Sequence, residues 1–545
     1  MKGGSNMKRT FRILSVISII VVASACDKFL DTMPDNRAEI NSQSMIQALL
    51  TSAYPSTDYM LLTEFMSDNV DDYGSNNPYT DRFIDQVYAW KDITESDNED
   101  SERLWENSYI AISSANQALL AIEELGGVEA TGMYPEMAEA LLCRAYNHFI
   151  LVNVFCMQYN SKTSTSDLGI PYITEPETTL DPKYDRGTVA QTYEMIEKDI
   201  KAALPYVSDT YYTVPKYHFN AKAAYAFAAR FYLYYEKFAK SIEYADKVLG
   251  SQPATMLRDW AAQAEMTQQY DAIVEHFISS SLNTNLLLMT AYSKMGLAFG
   301  PYSVYSKYAH GEYLANNETG IAITPLWRGS NDTYYSPMKI YAATNLDKTI
   351  FWKLPYLFEY ADPVAQIGYY RTVYPAFTGD EVLLERAEAK ILEGQYQSAI
   401  TDMNTWIKNI AKDPRTLEEN VTEDYRELTQ ERIQTYFDGI KYSRWDSSTV
   451  KKHLNPYFEI GEEGGPKETL LQCVLALKRV DHLAQGLRWF DVKRYGIEIE
   501  RRVIGASGKP RYSTDILLKD DPRRAVQIPL KVRAAGLEPN PRNDK

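Results

Sequence analysis

The sequence is poor in the groups from which metal and redox centres are built, with 4 cysteines and 6 histidines in 545 residues. No two cysteines form a C-x-x-C pair, and His148, His218, His276, His310, His453 and His482 show neither an H-E-x-x-H pattern nor any paired ligand spacing. Cys143, Cys156 and Cys473 therefore read as small buried hydrophobes; the first two lie about 20 Å apart along one expected helix, too far to bridge. A G-x-S-x-G elbow and a phosphate-cradling glycine loop are also missing. Nothing sets two carboxylates apart as an acid and a base among 73 acidic residues, so the chain reads as a non-enzyme. Basic charge is in short supply as well: 57 lysines and arginines leave a formal net charge of -16, which argues against nucleic acid as a partner.

A membrane-spanning run is absent too. The apolar stretch Ile13 to Ala25 falls short of the roughly 20 residues a spanning helix needs. Lys8, Arg9 and Arg12 precede it, and the small residues Ser24 and Ala25 end it just before Cys26. A basic segment, an apolar core and small residues before a cysteine spell a bacterial lipoprotein signal peptide over residues 1–25. The mature chain is then expected to begin at an acylated Cys26, with several acyl chains making the tether permanent. Met7 stands directly before Lys8, so Met1 to Asn6 read either as an upstream start or as residues added to the natural chain.

What is abundant is helical periodicity. Met137, Leu141, Ala145, Phe149, Val152 and Phe155 recur at spacings of three and four, as do Val189, Ile196, Ile200 and Leu204. Residues 221–249 and 379–410 each read as helix, tight turn, helix, and they align at one constant offset: Leu233 with Ile391, Phe238 with Tyr396, Ile242 with Ile400, Leu249 with Ile407. Leu141 to Ala145 repeats Leu383 to Ala387. A unit of about 34 residues is the tetratricopeptide period, so the fold class is mainly α, with hairpins stacked so that each covers its neighbour's apolar face. Strand-like alternation is scarce.

Between residues 251 and 378 the stripes fade and rings appear among Gly, Pro, Asn and Ser. That stretch is too long for one structureless loop and reads as an irregular insertion with short helices and hairpins. Residues 26–545 are thus expected to form one domain, a helical scaffold over 26–250 and 379–545 carrying the loop-rich region 251–378. Tyrosine is the compositional oddity, 42 against 18 phenylalanines and 8 tryptophans. Its flat body and polar tip suit a surface on which sugar rings stack, although most such rings in a helical protein serve packing. No cofactor is expected, apart from a candidate structural calcium ion whose ligands would be Asp68, Asp71 and Asp72 in the turn-rich loop Ser67 to Tyr79. The loop departs from the EF-hand pattern, with Tyr73 in a ligand slot and Thr80 where a bidentate Glu belongs.

Six short passages, in order, resemble the SusD/RagB family of nutrient-binding outer-membrane lipoproteins. They are Cys26-Asp27-Lys28-Phe29-Leu30-Asp31; Trp105 to Asn116; Arg144-Ala145-Tyr146 leading to Gly169-Ile170-Pro171; Arg386-Ala387-Glu388-Ala389 with Gly394; Gly486 to Tyr495; and Ala525 to Leu530 with Asn540-Pro541. The resemblance departs at Gln485, Leu487 and the segment Ala476 to His482. It implies a tetratricopeptide-type scaffold, a place on the outer face of the outer membrane, and a SusC-like TonB-dependent transporter as partner. Arg386, Glu388, Gly486, Arg488, Trp489, Asp491 and Arg494 are its motif residues, expected to be structural; Arg488 and Asp491, three apart on one helix, can pair with each other.

The expected function is capture of an oligosaccharide and its delivery to that transporter, with a peptide or other non-glycan nutrient as the alternative cargo. A sugar site needs rings to stack on and fixed polar groups to hydrogen-bond the hydroxyl rim. The loops carrying Tyr73, Tyr79, Trp90, Tyr302, Trp327 and Tyr334 offer both.

Overall fold

The helical hairpins fall where the repeat places them. In the computed structural model, which describes residues 40–179, 182–342 and 347–543, the scaffold helices are α1 (Ser101–Glu124), α2 (Tyr134–Phe155), α3 (Val189–Ala203), α4 (Ala221–Tyr234), α5 (Phe238–Leu249), α6 (Gly379–Leu392), α7 (Tyr396–Ile410), α8 (Pro466–Asp481) and α9 (Arg488–Arg494). They belong to a compact unit spanning Ile46–Lys545. Cys26 and the signal segment lie outside the described residues. Among the described residues no helix is long and apolar enough to cross a membrane.

Local chemistry starts these helices. Asn220 accepts the Ala223 amide at 3.1 Å to cap α4, Thr378 accepts the Glu381 amide at 3.1 Å to cap α6, and Thr188 with Gln191 forms a capping box on α3. The two repeats turn on equivalent left-handed residues, Glu236 at φ 57° and Gly394 at φ 77°. Stacking then runs α1 on α2, α2 on α3, α4 on α5, α5 on α6 and α6 on α7, with α8 closing over α6.

Every residue of α6 is buried, although it carries Asp380, Glu381, Glu385, Arg386, Glu388 and Lys390. Charges in such a place have to be paired. Arg230 of α4 donates to Glu381 at 2.7 Å; Arg386 forks onto Asp402 at 2.9 and 2.7 Å and reaches Asp246 at 2.8 Å; Lys390 reaches Asp402 at 2.7 Å. Glu388 accepts from Lys478, Arg494 and the Tyr495 hydroxyl at 2.7, 2.7 and 2.8 Å. The R-A-E-A passage is thus the ionic seam joining α6 to its neighbours.

The sequence underestimates the strands. Antiparallel β2 (Asn285–Tyr292), β7 (Ile367–Thr378) and β6 (Leu357–Asp362) make one sheet in the order β2-β7-β6. A second sheet in the order β3-β1-β8-β9 joins β1 (Asp71–Asp72) and β3 (Tyr308–Ala309) to a hairpin of β8 (Ile499–Ile504) and β9 (Pro510–Leu517). A two-stranded ribbon pairs Lys339–Ala342 with Asp347–Ile350. Leu286, Leu287, Leu288 and Met289 are all buried, so β2 is covered on both faces and shows no alternation to read.

Candidate functional site

The second sheet brings the early turn-rich loop against the insertion. β1 pairs with β3 in the register Asp71 to Ala309 and Asp72 to Tyr308, and with β8 through Asp72 and Val503. The zipper continues outward: the Tyr73 amide donates to the Lys307 carbonyl at 2.7 Å, and the Lys307 amide to the Tyr79 carbonyl at 2.8 Å. Two exposed rings, Tyr79 at 77 % and Tyr305 at 60 %, stand on the loops so joined. Exposed Ser75, Asn76, Asp81 and Arg82 surround them. Asp85, accepting from the Tyr308 hydroxyl at 2.6 Å and Lys307 Nζ at 3.1 Å, fixes the polar floor.

Buried charge forms the base beneath this face. Asp68 accepts from Arg488 at 2.8 and 3.0 Å, and Arg479 Nη1 lies 3.4 Å from it. Glu318, from the insertion, accepts from Lys452, Arg479 and Arg502 at 2.6, 3.1 and 2.7 Å, and Arg502 Nε donates to Asp71 at 2.8 Å. Burial pushes the Asp68 carboxyl up, but Arg479 and Arg488 outweigh it and hold it well below the usual range. Glu318 is held low in the same way, its burial outweighed by Lys452, Arg502 and Arg479.

That network changes the reading of the acidic loop. Asp68 and Asp71 face arginines, and Asp72 Oδ1 accepts the Gly74 amide at 2.6 Å. Among the described residues no group of three or more His, Cys, Asp or Glu is placed to hold a metal ion. Arg488 pairs across the chain with Asp68 in place of Asp491, which is held by Lys478 at 2.8 Å and Arg494 at 3.3 Å. Trp489 is fully buried. Gly486, at φ 74°, donates to Glu64 at 2.8 Å, and a Cβ there would fall 2.3 Å from Thr63 Oγ1.

Of the five rings expected at a ligand whose side chains are described, Tyr79 alone is exposed. The side chain of Tyr302 lies outside the described residues. Tyr73 is buried beneath Lys348 Nζ, 3.5 Å above its ring, and against Gly311, whose missing Cβ makes the space. Trp90 is buried with Arg501 4.1 Å over its ring and its indole N–H on the Met66 carbonyl at 2.9 Å. Trp327 and Tyr334 pack edge to face at 5.7 Å, and the Tyr334 hydroxyl donates to the Gly320 carbonyl at 2.6 Å. All four are buried and pack within the protein, Tyr334 lining a cleft between the insertion and α7. Tyr305, which the sequence reading passed over, lies three residues from Tyr302 in the same Gly-Pro-led turn.

The helical-repeat scaffold thus presents two exposed rings on loops tied together by backbone hydrogen bonds and flanked by buried ion pairs. Residues 28–233 match the SusD-like family model described as starch-binding associating with outer membrane. In fold the chain is similar to a SusD superfamily protein from Bacteroides thetaiotaomicron, at 18 % identity over 92 % of this chain and 99 % of that one, with a TM-score of 0.59. A putative sugar binding protein from Bacteroides vulgatus matches at 18 % identity over 93 % and 99 % of the two chains, TM-score 0.63. A SusD-like carbohydrate binding protein from the same species matches at 14 % identity over 91 % and 97 %, TM-score 0.56. At these identities the likeness concerns the fold. No curated protein matches the chain in sequence.

Proposed function

We propose that the protein captures an oligosaccharide on the face carrying Tyr79 and Tyr305 and passes it to a SusC-like TonB-dependent transporter, tethered to the outer membrane through Cys26. The observation that carries the reading is the pairing of two exposed tyrosines on loops locked together by backbone hydrogen bonds. Sugar faces stack on such rings, and a rigid mount spares the entropy of ordering them on binding. The starch-binding description of the matching family, and two structural relatives named as a putative sugar binding protein and a carbohydrate binding protein, support the glycan class. The transporter, the lipid and the outward orientation rest on the sequence resemblance.

Calorimetry of the mature protein against a panel of oligosaccharides tests the glycan. One or more is expected to bind, and Tyr79→Ala and Tyr305→Ala are each expected to weaken it about tenfold, the worth of one lost stacking contact. Binding to no saccharide, or binding unchanged in both variants, would overturn this reading. Capture of a TonB-dependent channel from solubilised envelopes tests the partner, and release of Cys26→Ser into the soluble fraction tests the tether.

One feature favours the peptide alternative. β6 is an edge strand, exposed along its length, with Leu357, Phe358 and Tyr360 facing water. An extended peptide can add to such an edge. Binding of peptides and of no glycan, lost when β6 carries a proline at Tyr360, would decide for it.

A further inference from the structure

Away from the tyrosine face, a cleft of about 110 Å³ opens where the insertion meets the end of the helical stack. Trp406 and Ile410 of α7 and Val480 of α8 form one side; Trp260, Ile273, Ile350 and Trp352 from the insertion form the other. The walls are mostly apolar, with Gln268, Ser336 and Lys339 among the polar residues that line them, and three indoles meet in one small space.

The polar groups at its edge divide into two sets. Trp406 donates its indole N–H to Asp481 at 3.1 Å, and Lys353 donates to the carbonyls of Asp481 and Leu483 at 2.6 and 2.9 Å, so both are held by the protein. The indole N–H groups of Trp260 and Trp352 have no partner, and neither has Oε1 of Gln263, a residue 2 % exposed that lines the cleft. A buried amide oxygen or indole N–H left without a hydrogen bond is destabilising. Two donors and one acceptor without partners around an apolar slot describe a ligand with a flat apolar body and one or two hydroxyls.

We propose that this cleft is a second binding site, specific for a small hydroxylated aromatic compound of the phenol class. A phenolic hydroxyl donates to Gln263 Oε1 and accepts from an indole N–H, while the ring fills the slot between Trp406, Ile273 and Ile350. A pyranose fits poorly, because its four or five hydroxyls would meet hydrocarbon on most sides and stay unpaired. The size is of the right order: an apolar cavity of about 150 Å³ takes benzene. Lys339, whose Nζ lies 3.5 Å over the Trp352 ring, stands at the rim and favours members of the class that carry a carboxylate.

Titration with 4-hydroxybenzoate, followed by tryptophan fluorescence and by calorimetry, tests the proposal. Saturable quenching is expected, with at least tenfold weaker binding in Gln263→Leu, which keeps the side-chain size and removes the acceptor. Val480→Phe, which fills the slot from the scaffold side, is expected to abolish binding, and Tyr79→Ala to leave it unchanged, separating this site from the sugar face. Thermal melts identify a variant that no longer folds, in which case the other one decides. Absence of saturable binding, affinity unchanged from the wild type in both cleft variants, or methyl glucoside competing at this site would overturn it.

Discussion

Arg488 lays its Nε and Nη2 on the two carboxylate oxygens of Asp68 at 2.8 and 3.0 Å, joining α9 to the loop that leads into β1. Arg479 and Lys452 reach the same carboxylate from two further segments, at 3.4 and 3.8 Å. Removal of the shared anion leaves the buried Arg488 without its carboxylate, while Lys452 and Arg479 keep Glu318. Asp68→Ala is expected to cost about 3–5 kcal/mol, the scale for breaking a buried ion pair from one side. Urea denaturation of the mature protein measures it; a loss below 1 kcal/mol would mean the network is solvated.

The rings separate into two classes that stability measurements distinguish. Trp90→Ala removes a buried indole held by Arg501 and the Met66 carbonyl, and is expected to cost about 3–5 kcal/mol. Tyr79→Ala, at an exposed position, is expected to stay within about 0.5 kcal/mol while lowering sugar affinity.

Two buried carboxylates predict opposite pH behaviour. Burial pushes Asp58 up to about 7; its Oδ1 accepts the Met60 amide at 2.7 Å and its Oδ2 has no partner. In the unfolded chain the group titrates near 3.9. The folded state therefore binds the proton more tightly, and this contribution to stability, complete below about pH 4, is lost as pH rises through 7. Asp58→Asn is expected to exceed the wild type in melting temperature at pH 8 and to match it at pH 4.

Glu388 runs the other way. Burial pushes it up, but Arg494 and Lys478 outweigh that and hold it at about 2. Its contribution is present above the unfolded value near 4.3 and is lost as pH falls toward 2. Glu388→Gln is expected to lower the melting temperature at pH 7, with the deficit shrinking as the wild type is acidified.

Gly311 tests the packing role of Tyr73 from the opposite side. A Cβ there would fall 1.4 Å from the Tyr73 hydroxyl oxygen and 2.6 Å from the ring carbon bearing it. Gly311→Ala is expected to lower the melting temperature by several degrees, and Tyr73→Phe in that background to recover part of the loss. No recovery would place the strain elsewhere.

The hairpins 221–249 and 379–410 were legible because their helices pack on one another within the repeat, so spacing alone carries the signal. Even the turn was legible in one copy, where Gly394 marks the left-handed residue, while Glu236 holds the same conformation without the glycine to announce it. The ionic seam of Arg386 and Glu388 was visible as a motif, its partners Asp402 and Lys478 only in three dimensions. The hairpin of β8 and β9 escaped notice although Gly505 and Gly508 flank its turn, because Ile499 to Ile504 also fits a buried helical edge. At the site, loop composition pointed to tyrosine and tryptophan but not to burial. Trp327 and Tyr79 stand in similar company in the sequence, and what separates them is packing against elements distant in the chain.

The chain leaves the helical stack and rejoins it at almost the same point. The Met256 carbonyl lies where a Cβ of Gly379 would be, 2.0 Å away, and Asp380 accepts from the Arg258 amide at 3.0 Å and the Thr284 hydroxyl at 2.6 Å. With its two ends tied together at the first turn of α6, the whole stretch between is a cassette. The registry of α5 against α6 is thereby uninterrupted, while Glu318, in the middle of the cassette, fastens it to Lys452, Arg479 and Arg502.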